Sequence, residues 1–186
     1  MTGGIMKQLL WLLALVPLLG ACGGGEGIDQ EGPPSLALTS SAFGEGALIP
    51  VRHTCDGEDI SPPLSWSEPP AGTESLALIV DDPDAPIGTW VHWVVFDLPP
   101  GTRSLPEAVT SGELLAGGGV QGQNGWNEVS YAGPCPPPGS EHTYVFKLYA
   151  LDSRLDLDSD ADKGGVEAAM VDHILAQGQL TGRYGR

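Results

Sequence analysis

One stretch of the sequence reads Asp81-Asp82-Pro83-Asp84-Ala85-Pro86-Ile87-Gly88-Thr89-Trp90-Val91-His92-Trp93, a proline-rich turn leading into an apolar run that ends at residue 96. A second segment repeats this arrangement: Tyr131-Ala132-Gly133-Pro134-Cys135-Pro136-Pro137-Pro138-Gly139 precedes His142-Thr143-Tyr144. Proline fixes φ and removes a donor, so such turns hold one shape at low entropic cost. Carboxylate, imidazole and phenol groups on rigid turns can hydrogen-bond a small anion, with the carboxylate orienting an imidazole. The alternative is an ordinary pair of inter-strand turns with incidental polar residues.

The rest of the chain predicts a mainly β protein. Leucine and alanine at 36–39 begin the first strand, and β-prone runs at 64–66, 75–80, 90–97 and 144–151 are separated by Pro/Gly turns. The runs at 76–80 and 91–96 are continuously apolar, which indicates strands buried on both faces. Residues 112–127 are glycine-rich and predict a loop or thin hairpin. Residues 166–177 carry an apolar stripe at helical spacing, so we expect an antiparallel β-sandwich with a C-terminal helix.

The N-terminus has the pattern of a lipoprotein signal peptide. Lys7 precedes an apolar stretch, residues 9–19, that is too short to span a bilayer, which needs roughly 20 residues. It ends in Leu19-Gly20-Ala21-Cys22, a lipobox-like motif that predicts lipidation of Cys22. The alternative is a plain secretory signal with Cys22 near the cut. The predicted organisation is a signal peptide at 1–21, a lipidated cysteine and flexible tether at 22–34, and one domain at 35–186.

The charge balance excludes some partners. The chain contains eight lysines and arginines and 24 aspartates and glutamates, which gives a formal net charge of −16. A nucleic-acid-binding surface would be basic, so nucleic acid is not an expected partner. Electrostatic attraction to anionic headgroups is equally unfavourable, so the lipid anchor would hold the chain at a membrane. Nothing in the sequence indicates a cofactor.

Several ordered motifs together resemble the phosphatidylethanolamine-binding proteins, and most closely the bacterial branch described as Raf-kinase-inhibitor-like. The resemblance covers residues 35–186 and rests on Asp-Pro-Asp-Ala-Pro at 82–86, Trp90-x-His92, Gly133-Pro134-x-Pro-Pro-x-Gly139, His142-x-Tyr144, Thr54-Cys55-Asp56-Gly57, the segment 60–66 and the tail 173–176. It implies the same sandwich fold and an anion pocket. The implied pocket residues are Asp82, His92, His142 and Tyr144, with a backbone N–H from the Gly133-Pro134 turn and Trp90 as an apolar wall. Thr143 departs from the pattern, since many members carry arginine there.

Two cysteines remain if Cys22 is lipidated. Cys55 and Cys135 lie in turns beside the pocket motifs. An even number of remaining cysteines in an exported protein predicts a disulfide. Zinc bound with His53, His92 and His142 is an alternative, although no paired ligand spacing supports it. Two unpaired thiols are the third possibility.

An acidic loop matches part of a calcium-binding pattern. Four aspartates alternate and a glutamate follows at EF-hand spacing: Asp156, Asp158, Asp160, Asp162 and Glu167. The glycine of the sharp turn is replaced by Ala161. The alternative is a solvated loop whose carboxylates favour the dipole of the following helix.

The other two histidines have structural interpretations. We expect His53 to be a surface residue near the rim of the pocket. We expect His173 to be a partly buried, hydrogen-bonded structural residue on the terminal helix rather than a ligand contact.

The sequence favours a binding module over two other classes. The leading function is an exported, membrane-anchored protein that captures a small anion or a phosphate-bearing headgroup. The alternatives are an inhibitor of a protease or kinase, implied by the family resemblance, and a hydrolase using Asp82, His92 and His142. No nucleophile motif accompanies those three residues, so we expect no enzymatic activity. Gly23, rather than aspartate, follows Cys22, which favours the outer membrane, facing the periplasm.

Overall fold

The computed structural model describes Met1 and residues 34–112 and 114–186. Cys22, the predicted signal peptide apart from Met1, and the predicted tether apart from Pro34 lie outside the described residues. Within the described part of the chain, no helix is long and apolar enough to cross a membrane. The elements, in chain order, are β1 (Leu38–Ser40), β2 (Ala47–Leu48), a 3-10 turn (Val51–His53), β3 (Leu64–Trp66), β4 (Ser75–Asp82), β5 (Trp90–Leu98), β6 (Ser104–Leu105), β7 (Val120–Gln121), β8 (Glu141–Leu151), α1 (Lys163–Met170) and β9 (Ile174–Gly185).

These strands form the predicted sandwich. A six-stranded sheet has the order β2-β9-β8-β4-β5-β7, and a three-stranded sheet has the order β1-β3-β6. All neighbours pair antiparallel except the short β2, which runs parallel to β9. The larger core lies between the two sheets, and α1 covers the opposite face of the large sheet over a smaller apolar cluster. Strands β4 and β5 are therefore buried on both faces, as their continuous apolar runs predict.

The predicted C-terminal helix is only partly correct. Helix α1 begins at Lys163, where the side chain of Asp162 caps it by accepting the amide of Gly165 at 2.9 Å, and it ends at Met170. Residues 174–177, which we expected to be helical, belong to β9 instead. Val166 and Met170 form the buried side of α1, whereas Ile174 continues their spacing by coincidence, because the period changes from 3.6 to two after the turn at 171–173. Beyond that turn the buried positions of β9 are Ala176, Leu180, Gly182 and Tyr184.

Adjacent carboxylates on β4 point to opposite faces of the large sheet. Asp81 lies on the face covered by α1, fully buried, and its Oδ2 accepts from Lys147 Nζ at 2.7 Å and from Lys163 Nζ at 2.8 Å. Asp82 lies on the face of the larger core. The two lysines tie β8 and the start of α1 to the centre of the sheet.

Candidate ligand-binding site

Three adjacent strands bring the predicted pocket residues to one end of the larger core. Asp82 ends β4, Trp90 and His92 begin β5, and His142 and Tyr144 begin β8. Because side chains alternate along a strand, His142 and Tyr144 share a face. The order β8-β4-β5 then places Asp82 between the two histidine-bearing strands.

A register shift turns His92 toward this face. Val80 of β4 pairs with Trp93, but the next residue, Asp81, pairs with Val91, so His92 is an extra residue on β5. Trp93 already faces the larger core, and strict alternation would send His92 to the other side. The bulge places both residues on the same face, in keeping with the tendency of bulges to re-aim side chains beside functional sites.

Asp82 and His142 form a buried pair. His142 Nδ1 lies 2.8 Å from Asp82 Oδ2, and both side chains are less than a tenth exposed. Asp82 Oδ1 accepts the amide of Asp84 at 2.9 Å, and Asp84 Oδ2 accepts the amide of Thr143 at 2.8 Å. The carboxylate therefore orients the imidazole, and the turn holds β4 against β8.

His92 is held by the backbone. Its Nδ1 lies 2.7 Å from the carbonyl oxygen of Ala132, so Nδ1 carries a proton and donates it. Burial lowers the pKa of His92 below its ordinary value, against the opposing effects of the Ala132 carbonyl and the charge of Asp82. His92 is therefore mainly neutral near pH 7, and Nε2 is left with a lone pair.

Tyr144 brings a buried hydroxyl to the same place. Its ring meets that of His92 edge to face, with centroids 5.2 Å apart. Among the described residues its buried Oη makes no hydrogen bond of good geometry, although the carboxylate of Asp82 and the amide of Cys135 lie near enough to act on it. Burial, followed by the charge of Asp82, raises the pKa of Tyr144, so the hydroxyl keeps its proton.

A cavity of about 300 Å³ opens beside these groups. Its apolar wall includes Trp90, as predicted, and also Trp126, which sequence reasoning missed. Trp126 contacts Trp90 and His92 edge to face, at centroid distances of 5.2 and 5.3 Å, while 45% of its surface stays exposed. The remaining lining residues are Asp82, Ala85, Pro86, Ile87, His92, Cys135, Pro136, Pro137 and His142.

Gly125 allows Trp126 to reach the cavity. A Cβ at Gly125 would lie 2.6 Å from Cε2 of Trp90, so a larger residue would separate the loop from β5. The Gly125 amide also donates to the carbonyl of Val91 at 2.8 Å. A tryptophan beside glycine in the predicted loop was the available signal for this contact.

The predicted backbone donor at Gly133-Pro134 is not free. The amide of Gly133 donates to Asp59 Oδ1 at 2.6 Å, and proline has no N–H. The carbonyl of Pro134 accepts the amide of Cys55 at 3.2 Å. This turn does not offer an amide to a ligand; it positions Cys135 and Pro136, which line the cavity.

The structure contains the predicted disulfide. Cys55 and Cys135 are joined with an S–S distance of 2.07 Å across a separation of 80 residues. Cys135 lines the cavity, so the bridge fixes one of its walls to the loop after the 3-10 turn.

The two remaining histidines are structural. His53 is buried, with Nδ1 3.0 Å from the carbonyl of Ile60, so the expectation of a surface residue was wrong. His173 lies in the turn before β9 rather than on a helix, and its Nδ1 contacts Asp152 Oδ1 at 2.8 Å. Both rings are used to hold neighbouring loops.

Neither metal alternative has a site in the structure. Among the described residues, no group of three or more His, Cys, Asp or Glu side chains is arranged to hold a metal ion. In the acidic loop, Asp156 contacts Arg154 at 3.2 Å, Asp162 caps α1, and Glu167 contacts Lys163 at 3.6 Å. These carboxylates have separate partners, so the EF-hand spacing does not gather them around a calcium ion.

Comparison with known proteins indicates the family of this chain. The sequence profile of the phosphatidylethanolamine-binding protein family matches residues 39–185. A UPF0098 protein of Methanothermobacter thermautotrophicus is 50% identical over 151 residues, covering 81% of this chain and 99% of the relative. A Mycobacterium tuberculosis protein whose name describes it as a lipoprotein, LppC, is 41% identical over 186 residues, covering 90% of this chain and 89% of its own.

Solved structures show the same fold. Escherichia coli YbcL, described as a member of the mammalian PEBP family, matches with a TM-score of 0.74 and 32% identity, covering 82% of this chain and 99% of its own. A phosphatidylethanolamine-binding protein homologue from Chlamydia trachomatis matches with a TM-score of 0.75 and 40% identity, covering 82% and 98%. The chain belongs to the phosphatidylethanolamine-binding protein family.

Proposed function

We propose that this protein captures a small phosphate-bearing anion in the cavity between β4, β5 and β8. The observation that carries the proposal is the pair of imidazoles, His92 and His142, that lines a cavity of about 300 Å³ together with Asp82. Tyr144, whose ring packs edge to face on His92, brings a buried hydroxyl next to this lining, and a phosphate oxygen would accept from it and contact His92. The apolar wall of Trp90 and Trp126 would exclude water and strengthen these hydrogen bonds.

The imidazoles require that the ligand bind together with a proton. Both Nδ1 atoms are committed, in His92 to the carbonyl of Ala132 and in His142 to Asp82. Neutral His92 therefore has only an Nε2 lone pair left, which accepts rather than donates, and Nε2 of His142 lies 3.4 Å from Oγ of Ser140. A phosphate monoester satisfies this requirement in either of two ways: it can bring a P–O–H group, or it can bind to a protonated ring.

A binding role fits the lining better than catalysis. None of the described residues that line the cavity carries a hydroxyl, and the sulfur of Cys135 is in a disulfide. Covalent catalysis needs an activated nucleophile, so the proposal is that the bound anion is released unchanged.

Replacing His92 with alanine should weaken binding of O-phosphorylethanolamine about 10- to 150-fold, because it removes a charge-assisted hydrogen bond worth ~1.5–3 kcal/mol. Affinity is measured by NMR titration of the imidazole resonances at about pH 6, near the second pKa of a phosphate monoester, where the ligand can bring the proton itself. The same titration is repeated with glycerophosphoethanolamine, a phosphodiester like an intact lipid headgroup. Tighter binding of this compound would indicate a lipid headgroup as the ligand, and tighter binding of O-phosphorylethanolamine would indicate a free monoester. Phosphorus NMR of the same samples should show both compounds intact.

Two variants make this result specific. His173→Ala removes an exposed imidazole that contacts Asp152 and should leave affinity unchanged. Tyr144→Phe should cost about fivefold in affinity while leaving stability equal or higher, because it removes a buried hydroxyl that makes no hydrogen bond of good geometry among the described residues. Equal affinity in wild type and His92→Ala, or a Tyr144→Phe variant that loses stability but keeps affinity, would assign these residues to packing alone.

We further propose that the protein is exported and anchored through Cys22, with the outer membrane, facing the periplasm, as its place. The lipobox-like sequence and the lipoprotein name of the M. tuberculosis relative support the anchor, and Gly23 after Cys22 favours the outer membrane in a host that has two membranes. The native wild type should partition into detergent and carry acyl chains at Cys22 by mass spectrometry, whereas Cys22→Ala should remain in the aqueous phase. Recovery of wild type as an unmodified soluble protein whose N-terminus lies away from Cys22 would contradict the anchor.

A further inference from the structure

The Cys55–Cys135 disulfide is accessible, unlike a bridge buried in a core. Cys135 is exposed and Cys55 is half-buried, and both lie in loops rather than strands. A thiolate in solution can reach a bridge of this kind, which is the first requirement for thiol–disulfide exchange.

The guanidinium of Arg186 lies close to the sulfur of Cys135. Arg186 Nη1 is 3.6 Å from Sγ of Cys135, and Arg186 Nε is held 2.9 Å from Asp56 Oδ2. A neighbouring guanidinium stabilises a thiolate and lowers its pKa. Because a sulfur with a lower pKa leaves faster, the bridge is polarised, with Cys135 as the better leaving group.

The surrounding loops have other attachments. The amide of Gly133 donates to Asp59 at 2.6 Å, and the amide of Gly139 donates to the carbonyl of Arg186 at 2.6 Å. These bonds flank Cys135 on both sides and do not depend on the bridge. Opening the disulfide therefore releases the short wall segment at 135–137 while the rest of the loop stays in place.

We propose that this bridge is a thiol-exchange site that controls the wall of the ligand cavity. A small thiolate attacks Sγ of Cys55, a new S–S bond forms there, and the Cys55–Cys135 bond breaks with its electron pair passing to Cys135. The product is a mixed disulfide at Cys55 and a Cys135 thiolate beside Arg186. A second thiol releases the first as its own disulfide and leaves Cys55 reduced, so two thiols supply the two electrons.

The rate of exchange tests the role of Arg186. The full-length protein is treated with excess reduced glutathione and quenched by alkylation, and peptide mass spectrometry identifies Cys55 and Cys135 separately from Cys22. Arg186→Gln should slow the first exchange about threefold or more, and Arg186→Lys should restore it, because a cation favours the leaving thiolate. Arg183→Gln is the matched control: Arg183 also lies near the C-terminal end of the chain but contacts Glu141 instead.

Two results of the exchange experiment would overturn the proposal: an Arg186→Gln variant that exchanges as fast as wild type, or glutathione found on Cys135 instead of Cys55.

A second experiment tests the effect on the cavity. Reduction of wild type should shift the His142 imidazole and Trp126 indole resonances, while the other amide resonances remain those of the folded protein. Unchanged His142 and Trp126 signals after reduction would show a purely structural bridge. Neither readout requires a ligand, so both stand apart from the anion-binding proposal.

Discussion

O-Phosphorylethanolamine should bind about 100-fold more tightly at pH 6 than at pH 8, gaining about tenfold for each unit of acidification. Binding takes up one proton, because the free His92 ring is neutral, the free phosphate is a dianion, and the complex holds one proton more than these two together. Because burial lowers the pKa of His92, the protonated ring is scarce near neutral pH, and affinity rises as the pH falls. Near the second pKa of a phosphate monoester, about 6, the free ligand already carries this proton and the gain should level off.

Sulfate is the matched probe for this result, since it brings no proton in this range. The affinity for sulfate should continue to rise at pH values below the point where the affinity for the monoester levels off, until the pH reaches the lowered pKa of His92. Calorimetric titrations across this range measure both curves. An affinity that is flat for both anions would contradict the proposed site.

Loss of the disulfide should have the largest effect on stability. The bridge closes a sequence separation of 80 residues, so Cys55→Ser combined with Cys135→Ser should lower the free energy of unfolding by about 4 kcal/mol in the loop-entropy description. The quantity is measured by urea unfolding of oxidised wild type and the double variant.

Reduction provides the control for this prediction. In excess reductant, wild type and the double variant should unfold at nearly the same urea concentration, because both then lack the crosslink. A difference below about 1 kcal/mol between oxidised wild type and the variant would mean that the loops are held by other contacts. The retained hydrogen bonds of Gly133 and Gly139 are the contacts that would then account for it.

Local patterns were sufficient to predict most strands and several of the residues that line the cavity. The apolar runs of β4 and β5 and the alternation of β8 are properties of short segments, and the histidines follow turns that the prolines define. The disulfide was predictable from the even number of remaining cysteines. Each of these features depends on neighbours in the sequence.

The features that were missed depend on long-range contacts. His53 is buried among loops from elsewhere in the chain: Tyr131, 78 residues away, donates its hydroxyl to the carbonyl of His53 at 2.8 Å. The amide of Gly133 is occupied by Asp59, 74 residues away. His92 faces the cavity only because β5 contains an extra residue relative to β4, which no reading of β5 alone reveals.

The neighbouring carboxylates of β4 also set the alignment of that strand. A slip of one residue in one direction would place Val80 where Asp81 lies, under α1, and a slip in the other direction would place Pro83 where Asp82 lies, at the cavity. The first slip would leave Lys147 and Lys163 without the carboxylate that they contact, and the second would leave His142 without the carboxylate that orients its ring. Either misalignment would therefore leave charged or polar groups unpaired in the interior, which favours the native alignment during folding. Two adjacent aspartates thus set the alignment of the large sheet at the strand end that lies beside the cavity.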